Sequence, residues 1–151
     1  MKKQTISSPL SGKVIPLSDV SDPMFRDEIL GKGCAVIPST GVLTSPADGV
    51  IDSIPESRHA VMMTTAEGTE LLIHIGIDTV ELKGTHFRSL VSAGDRVRAG
   101  DVLIEFDVDE IAKAGYDTTT PIVITNSDVY TGIKVLSREV NALSPLIELA
   151  K

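Results

Sequence analysis

The segment from Glu70 to Gly84 (ELLIHIGIDTVELKG) constrains the fold more than any other part of the chain. It begins with a dense apolar run, and a short run rich in Ile and Leu is typical of a buried β-strand. Because side chains alternate between the two faces of a strand, one face is entirely aliphatic: Leu71, Ile73, Ile75 and Ile77. The opposite face carries Leu72, His74 and Gly76. We expect the first face in the core and the second to form the floor of a shallow site.

A second histidine, His59, opens the run HAVMMTT, which a short loop separates from the His74 strand. The two runs predict an antiparallel hairpin that turns near Glu67 and Gly68, because glycine adopts positive φ without steric cost. If the loop has an even number of residues, His59 and His74 share a face and lie opposite or nearly opposite each other. Directly opposed Cβ atoms are about 4.5–5.5 Å apart. The sequence therefore predicts paired imidazoles, whereas an odd-numbered loop would separate them.

Composition narrows the class of protein. The 151 residues are 42% hydrophobic and 23% charged, as in an ordinary globular soluble protein. The net charge of −7 excludes nucleic acid and anionic membranes as partners, because both select an excess of Lys and Arg, but it is compatible with a basic protein. The single cysteine, Cys34, permits no internal disulfide, indicates a reducing compartment and is interpreted as a small buried hydrophobe.

The ends and the length of the chain predict its organisation. The N-terminal sequence MKKQTISSPL lacks the apolar run of a secretory signal, and no segment approaches the ~20 apolar residues of a membrane span. We therefore expect a cytoplasmic protein with no direct membrane insertion. The length predicts one domain over residues 1–151, with residues 1–7 as a flexible N-terminal lead.

Turn residues divide the rest of the chain into short strands. The related strings SPLSGKVIPL (Ser8–Leu17) and SPADGVIDSI (Ser45–Ile54) each enter a strand through Ser-Pro-x-x-Gly. Helix signals are confined to Ser21–Leu30, which begins Ser-Asp-Pro, and Asp107–Gly115, which begins with acidic residues and ends in glycine. About ten short strands predict an all-β fold, an antiparallel sandwich or barrel with one or two very short helices.

Two histidines on one face permit metal ligation, acyl transfer or phosphoryl carriage. Zinc sites use three or four ligands, and the sequence has no cysteine near the pair and no His-x-His motif, so we predict neither a metal nor a cofactor. Ser57, two residues before His59, lacks a nucleophile elbow and is interpreted as a hydroxyl that fixes the tautomer of an imidazole. A zinc-dependent hydrolase or metal-binding module on a related β scaffold remains the alternative.

Phosphoryl transfer through a histidine fits these residues best. One imidazole takes the group, and its neighbour, when protonated, donates charge-assisted hydrogen bonds to the phosphoryl oxygens. A shallow apolar surface around the pair would dock another protein and keep water from the labile bond. We therefore expect a partner-facing site.

The segment HIGIDTVELKG (His74–Gly84), with ESRHAV (Glu56–Val61) upstream, closely resembles the glucose-family IIA component of the bacterial phosphoenolpyruvate-dependent sugar phosphotransferase system. The likeness continues through SPLSGKVIPL, SDPMF, LGKG, SPADGVI, AGDRV, GDVLIEFD and TPIVITN. It covers nearly the whole chain, from Ser8 to Leu149.

The resemblance implies an enzyme, a β-sandwich phosphotransferase component that accepts a phosphoryl group from HPr and donates it to a cysteine of a IIB domain for sugar uptake. By motif position, His74 is the phosphorylated residue and His59 the second active-site histidine. Ser57 keeps the hydroxyl of the threonine that the family often has there. Gly76 would orient the His74 ring through its backbone carbonyl.

The resemblance also implies a docking surface. Asp22 and Asp78 would lie beside the site and pair with arginines of HPr or the IIB domain. The apolar docking rim would consist of Phe25, Val36 and Leu72. Unphosphorylated family members bind transporters or metabolic enzymes in some bacteria, which adds such proteins to the expected partners. The chain is expected to be either free-standing or a module of a longer permease.

Overall fold

The computed structural model describes residues 3–151, which contain fourteen β-strands and two α-helices. The strands are β1 (Lys3–Ser7), β2 (Gly12–Pro16), β3 (Lys32–Pro38), β4 (Val42–Thr44), β5 (Gly49–Ser53), β6 (Ala60–Thr65), β7 (Glu70–His74), β8 (Phe87–Ser89), β9 (Arg96–Val97), β10 (Val102–Phe106), β11 (Thr120–Ile124), β12 (Gly132–Val135), β13 (Glu139–Val140) and β14 (Pro145–Ala150). The helices are α1 (Pro23–Arg26) and α2 (Val108–Lys113), and 3-10 turns lie at Leu17–Asp19, Thr79–Leu82 and Ser127–Val129. No helix within residues 3–151 has the length and apolarity needed to cross a bilayer.

The predicted antiparallel all-β fold is confirmed. Every hydrogen-bonded strand pair in the described part of the chain is antiparallel. The largest sheet has eight strands in the order β13-β2-β3-β11-β7-β6-β5-β9, and two smaller sheets have the orders β1-β14-β12 and β4-β10-β8. The strands outnumber the ten or so that were predicted because four of them, β4, β8, β9 and β13, are only two or three residues long and carry no alternation to recognise.

The main hydrophobic core lies where the three sheets meet. It joins Val61, Leu71 and Ile73 of the large sheet to apolar side chains of both smaller sheets, among them Ile6, Leu43, Leu103, Ile104, Leu146 and Ile147. The alternation predicted for β7 is confirmed, because Leu71 and Ile73 are buried whereas Leu72 and His74 are only partly covered. The large sheet therefore turns one face toward this core and the other toward the histidine site.

A smaller core covers part of that other face. The segment between β2 and β3 lays Leu17, Val20 and Phe25 against Ala35 of β3 and Val123 of β11. Helix α1 in this segment begins at Pro23, where Asp22 caps it by accepting a hydrogen bond from the amide of Met24 at 2.9 Å. This packing brings the Asp22 end of α1 to the edge of the histidine site.

The expectation that residues 1–7 form a flexible lead is wrong for residues 3–7. These residues form β1, which pairs along β14 from Lys3 with Ala150 to Ser7 with Pro145, and Ile6 is fully buried in the main core. The alternation is too short to identify in the sequence, but the paired edge of β14 supplies the hydrogen bonds. Residues 1 and 2 lie outside the described part of the chain.

Candidate active site

The β6–β7 hairpin brings the two histidines together, although its register differs from the predicted one. Thr64 pairs with Glu70, so the loop between them has five residues, and Ala60 rather than His59 stands opposite His74. The expectation of an even-numbered loop is therefore wrong. His59 lies opposite Ile75, whose amide donates to the His59 carbonyl at 2.7 Å.

The imidazoles meet because His59 lies just outside the regular strand. β6 begins at Ala60, and Arg58, the residue before His59, has a left-handed backbone with φ of 55°. Strand alternation therefore does not set the direction of the His59 side chain. The ring centroids of His59 and His74 are 4.8 Å apart, with their planes nearly perpendicular at 82°.

His59 is held by a hydroxyl in a dry environment. Its side chain is buried, and its Nδ1 lies 2.7 Å from the Oγ of Ser57, as the sequence predicted, although Ser57 reaches it from a turn rather than along a strand. Burial, and to a smaller extent the neighbouring His74, lower the pKa of His59 from 6.5 to about 4. His59 is therefore neutral near pH 7 in the unphosphorylated protein.

His74 is held in one tautomer by the backbone. Its Nδ1 lies 2.7 Å from the carbonyl oxygen of Gly76. A carbonyl oxygen only accepts hydrogen bonds, so Nδ1 must carry the proton, and in the neutral ring Nε2 keeps its lone pair. Burial lowers the pKa of His74 below 6.5, although the Gly76 hydrogen bond and the carboxylates of Asp22 and Asp78 raise it in part. His74 thus presents a neutral, unprotonated Nε2 as a nucleophile near pH 7.

Gly76 is required by the local backbone. Its φ is 76°, and a Cβ built on it would lie 2.5 Å from Cγ2 of Thr79 and 2.9 Å from the carbonyl oxygen of Asp117. The left-handed turn ends β7 and directs the Gly76 carbonyl back to the ring two residues earlier.

The remaining predicted polar residues flank His74. Asp22 caps α1, and Asp78 follows Gly76 in a left-handed conformation with φ of 59°. Both carboxylates favour the protonated form of His74. The Phe25 ring packs beside the His74 ring at a centroid distance of 5.2 Å. Two carboxylates and one aromatic ring thus lie near the His74 ring.

Comparison with known proteins identifies the family. The profile described as "phosphoenolpyruvate-dependent sugar phosphotransferase system, EIIA 1" matches residues 4–130. The chain belongs to this EIIA family. It is 43% identical over 132 residues to the glucose-specific EIIA component of Bacillus cereus, covering 87% of this chain and 80% of that protein. The solved structure described as glucose permease IIA from Mycoplasma capricolum matches with a TM-score of 0.92 and 32% identity, over 98% of this chain and 96% of that one.

A longer type of EIIA relative also matches. The β-glucoside-specific EIIBCA component of Dickeya chrysanthemi is 47% identical over 150 residues, which is 99% of this chain but 24% of that protein. The chain therefore spans about a quarter of the length of this relative. The family membership and the β-sandwich fold agree with the resemblance seen in the sequence. The zinc-hydrolase alternative gains no support.

Two of the three residues predicted for a docking rim are buried in this EIIA domain. Val36 is fully buried in the main core, because β3 lies between β2 and β11 and turns this side chain toward the other sheets. Val36 is therefore no part of an external surface, and Phe25, only 4% exposed, contributes mainly to packing around His74. Leu72 remains partly exposed opposite Met62 of β6.

Exposed apolar side chains around the site were missed in the sequence. Met24 and Met62 are each 43% exposed and Val80 is 52% exposed. Met24 adjoins Phe25, Met62 pairs with Leu72, and Val80 lies two residues after Asp78, so all three flank the histidines along the chain or across the sheet. Their exposure depends on strand register and on the 3-10 turn, which the sequence did not reveal.

Two further residues near the histidines were also missed. Thr79 is fully buried, and its hydroxyl donates to the carbonyl of Ile75. Arg58 donates to the carbonyl of Gly84 at 3.4 Å and so links the turn before His59 to the segment after His74. Spacing alone gave no signal for either contact. Among residues 3–151, no group of three or more His, Cys, Asp or Glu side chains is arranged to hold a metal ion.

Proposed function

We propose that this chain is a histidine phosphocarrier that takes a phosphoryl group from phospho-HPr onto Nε2 of His74 and donates it to a cysteine of a IIB domain. The observation that carries the proposal is the hydrogen bond between Nδ1 of His74 and the Gly76 carbonyl. This bond leaves Nε2 as the free nitrogen of a neutral ring. A neutral imidazole with a free nitrogen can accept a phosphoryl group, and a second imidazole beside it can bind the group once it has been transferred.

The transfer can be written in balanced form. The lone pair of Nε2 attacks phosphorus, the bond from phosphorus to the donor atom breaks, and the electron pair of that bond stays on the donor. Nδ1 of His74 keeps its proton and donates it in a hydrogen bond to the Gly76 carbonyl, so the phosphorylated ring carries a positive charge. The carboxylates of Asp22 and Asp78, which favour the cationic ring, would offset this charge without a proton having to leave.

His59 would hold the transferred group. When the Ser57 hydroxyl donates to Nδ1, the proton of the neutral ring sits on Nε2 and can be donated to a phosphoryl oxygen. Before transfer the His59 ring is neutral near pH 7, because its pKa is about 4, so it places no positive charge beside His74. An arriving phosphoryl dianion would raise the pKa of His59 and strengthen this hydrogen bond.

The partners would dock on the apolar surface around the histidines. Exposed Met24, Met62 and Val80, together with partly exposed Leu72, offer flexible apolar contacts, and methionine adapts to differently shaped partners. Asp22 and Asp78 at this surface complement basic side chains, in keeping with the net charge of −7. HPr and the IIB domain would use the same surface in turn, because both must reach Nε2 of His74.

The IIB partner is proposed to be of the β-glucoside type. The Dickeya chrysanthemi relative, named a β-glucoside-specific EIIBCA component, aligns over 99% of the chain, including the region of β12, β13 and β14. Initial rates of phosphoryl transfer to purified β-glucoside-type and glucose-type IIB domains would test this, with faster transfer expected to the former. Equal rates, or faster transfer to the glucose type, would contradict it.

The carrier function itself is tested by incubating the chain with phosphoenolpyruvate, the first enzyme of the relay and HPr. We expect one acid-labile, base-stable phosphoryl group per chain, detected by intact mass and by ³¹P NMR. His74→Ala should abolish labelling, whereas His59→Ala should still accept phosphate but pass it on slowly. Absence of label on the folded wild-type protein, or full labelling of His74→Ala, would refute the proposal.

A further inference from the structure

The backbone on either side of Gly76 is held by two hydrogen bonds from outside the hairpin. The peptide between Ile75 and Gly76 is held through its carbonyl, which accepts from the Thr79 hydroxyl. The peptide between Gly76 and Ile77 is held through its N–H, which donates to the carbonyl of Asp117 at 2.9 Å. Because each peptide is planar, fixing one of its polar groups fixes the orientation of the whole unit.

These two anchors decide where the Gly76 carbonyl points. The N–H of Ile77 faces Asp117, so the carbonyl of the same peptide faces the opposite way, toward Nδ1 of His74. The first peptide must hold its own orientation for the left-handed φ of 76° at Gly76 to persist. Thr79 is the side chain that holds it, and Thr79 is fully buried.

Thr79 acts on the site in two separable ways. Its hydroxyl binds the Ile75 carbonyl, and its Cγ2 methyl fills the space beside Gly76, 2.5 Å from where a Cβ would lie. The amide of Ile75 also donates to the carbonyl of His59 at 2.7 Å. The Ile75 backbone is therefore tied to the His59 backbone on one side and to Thr79 on the other.

We propose that Thr79 is a positioning residue that sets the tautomer of His74, because its hydroxyl fixes the Ile75–Gly76 peptide and thereby aims the Gly76 carbonyl at Nδ1. Without that hydroxyl, the Ile75 carbonyl is buried without its partner and the turn relaxes. The Nδ1 proton then loses its fixed acceptor, and a fraction of His74 carries its proton on Nε2. A ring protonated on Nε2 has no lone pair for phosphorus. The kinetic consequence rests on the proposed function, whereas the tautomer of the unphosphorylated protein does not.

The tautomer is measured directly from ¹⁵N spectra of the imidazole nitrogens in the unphosphorylated, labelled protein at pH 7.5. The wild-type protein should show His74 protonated on Nδ1 and bare on Nε2. Thr79→Val, which keeps the methyl and loses the hydroxyl, should shift both His74 nitrogens toward intermediate values. Thr79→Ser, which keeps the hydroxyl and loses the methyl, should retain the wild-type signals. The His59 nitrogens serve as an internal comparison, because the Ser57 hydroxyl and not the Gly76 carbonyl is the partner of Nδ1 in that ring.

The kinetic readout separates positioning from binding. At saturating phospho-HPr, Thr79→Val should accept phosphate about tenfold more slowly than wild type, with an unchanged half-saturating donor concentration, and Thr79→Ser should restore the rate.

A folded Thr79→Val with wild-type His74 signals and rate would overturn the proposal. If Thr79→Val does not fold, Thr79→Ser decides, because wild-type signals support the hydroxyl and shifted signals in a folded Thr79→Ser refute it. A wild-type chain that shows the fixed tautomer but accepts no phosphate would refute the carrier function and leave the role of Thr79 intact.

Discussion

The closed and open ends of the β6–β7 hairpin are held in different ways. At the closed end, Thr65 and Thr69 bond to each other through backbone and side chain, and the hydroxyl of Thr69 reaches Gln4 and Tyr130. Gly68 there has φ of 91° and open space around it. Hydrogen bonds both within the turn and to distant residues hold this end, but the position of Gly68 has room for a side chain.

At the open end, left-handed residues cluster around the imidazoles. Arg58, Gly76 and Asp78 have φ of 55°, 76° and 59°, and two of the three carry side chains. Each left-handed residue with a Cβ costs about 1–2 kcal/mol. The left-handed residues with side chains are therefore concentrated at the end of the hairpin where the two histidine rings meet. The comparison teaches that the same type of residue, a left-handed glycine, is replaceable at one end and fixed by its surroundings at the other.

Two matched alanine substitutions test this difference most strongly. Gly76→Ala should lower the free energy of unfolding by about 2–4 kcal/mol, because the new Cβ meets both Thr79 and the Asp117 carbonyl in addition to the unfavourable φ. Gly68→Ala, which meets nothing within 4 Å, should lower it by about 1 kcal/mol. Urea denaturation followed by circular dichroism measures both. Equal losses would show that the open end is no more constrained than the closed one.

The core side of the hairpin could be predicted from the sequence, and the histidine side only in part. Alternation identified Leu71 and Ile73 as buried because a strand with one dry face leaves that pattern. The register could not be identified, since the loop parity depends on the backbone bonds of Thr65 and Thr69. The even-numbered loop that predicts paired imidazoles is wrong. The imidazoles meet instead because the left-handed backbone of Arg58 places His59 outside the regular strand geometry.

The docking rim illustrates a second limit of the sequence. Val36 and Ala35 are neighbours on β3, yet Val36 faces the main core and Ala35 the smaller one. Both faces of this strand are covered, so no polar residue marks which side is which. The resemblance names Val36 by its motif position but does not determine which face of β3 the side chain occupies, so the prediction of a surface residue there is wrong.

Lowering the pH should destabilise the protein through the two histidines at the open end. The folded protein lowers the pKa of both His59 and His74 below 6.5, so between pH 4 and pH 6.5 the unfolded chain binds more protons than the folded one. This stabilising contribution is complete above pH 6.5 and is lost as the pH falls toward 4. The free energy of unfolding should fall by about 1–2 kcal/mol between pH 7 and pH 5. His59→Gln should flatten this dependence, and an unchanged slope in that variant would contradict the assignment.

Ser57 and its hydroxyl give a smaller and purely functional effect. Ser57→Ala removes the partner of Nδ1 of His59, so this ring should sample both tautomers and hold the phosphoryl group less well. Onward transfer to a IIB domain should slow about fivefold to tenfold, equivalent to about 1 kcal/mol. Ser57→Thr keeps the hydroxyl and should match wild type or exceed it. A rate for Ser57→Ala equal to that of Ser57→Thr would show that the hydroxyl does not fix the ring.

Removal of one carboxylate should produce the smallest change. Asp78→Asn tolerates the same left-handed conformation, so stability should stay within about 0.5 kcal/mol of wild type. The pKa of His74 should fall further, because the Asp78 carboxylate raises it. NMR titration of His74 measures the shift, and Asp109→Asn on α2 is the charge-matched control. A His74 pKa that rises in Asp78→Asn would contradict the electrostatic role of this carboxylate.

The pairing of β1 with β14 has a mechanical consequence. Lys3 stands opposite Ala150, and the pairing runs inward from there to Ser7 and Pro145. A force that pulls these two ends apart would load one pair of hydrogen bonds at a time, so the strands would peel open like a zipper instead of shearing together. Tension from flexible tethers at both ends would therefore open this strand pair under low load. Opening would begin at Lys3, three residues before the buried Ile6.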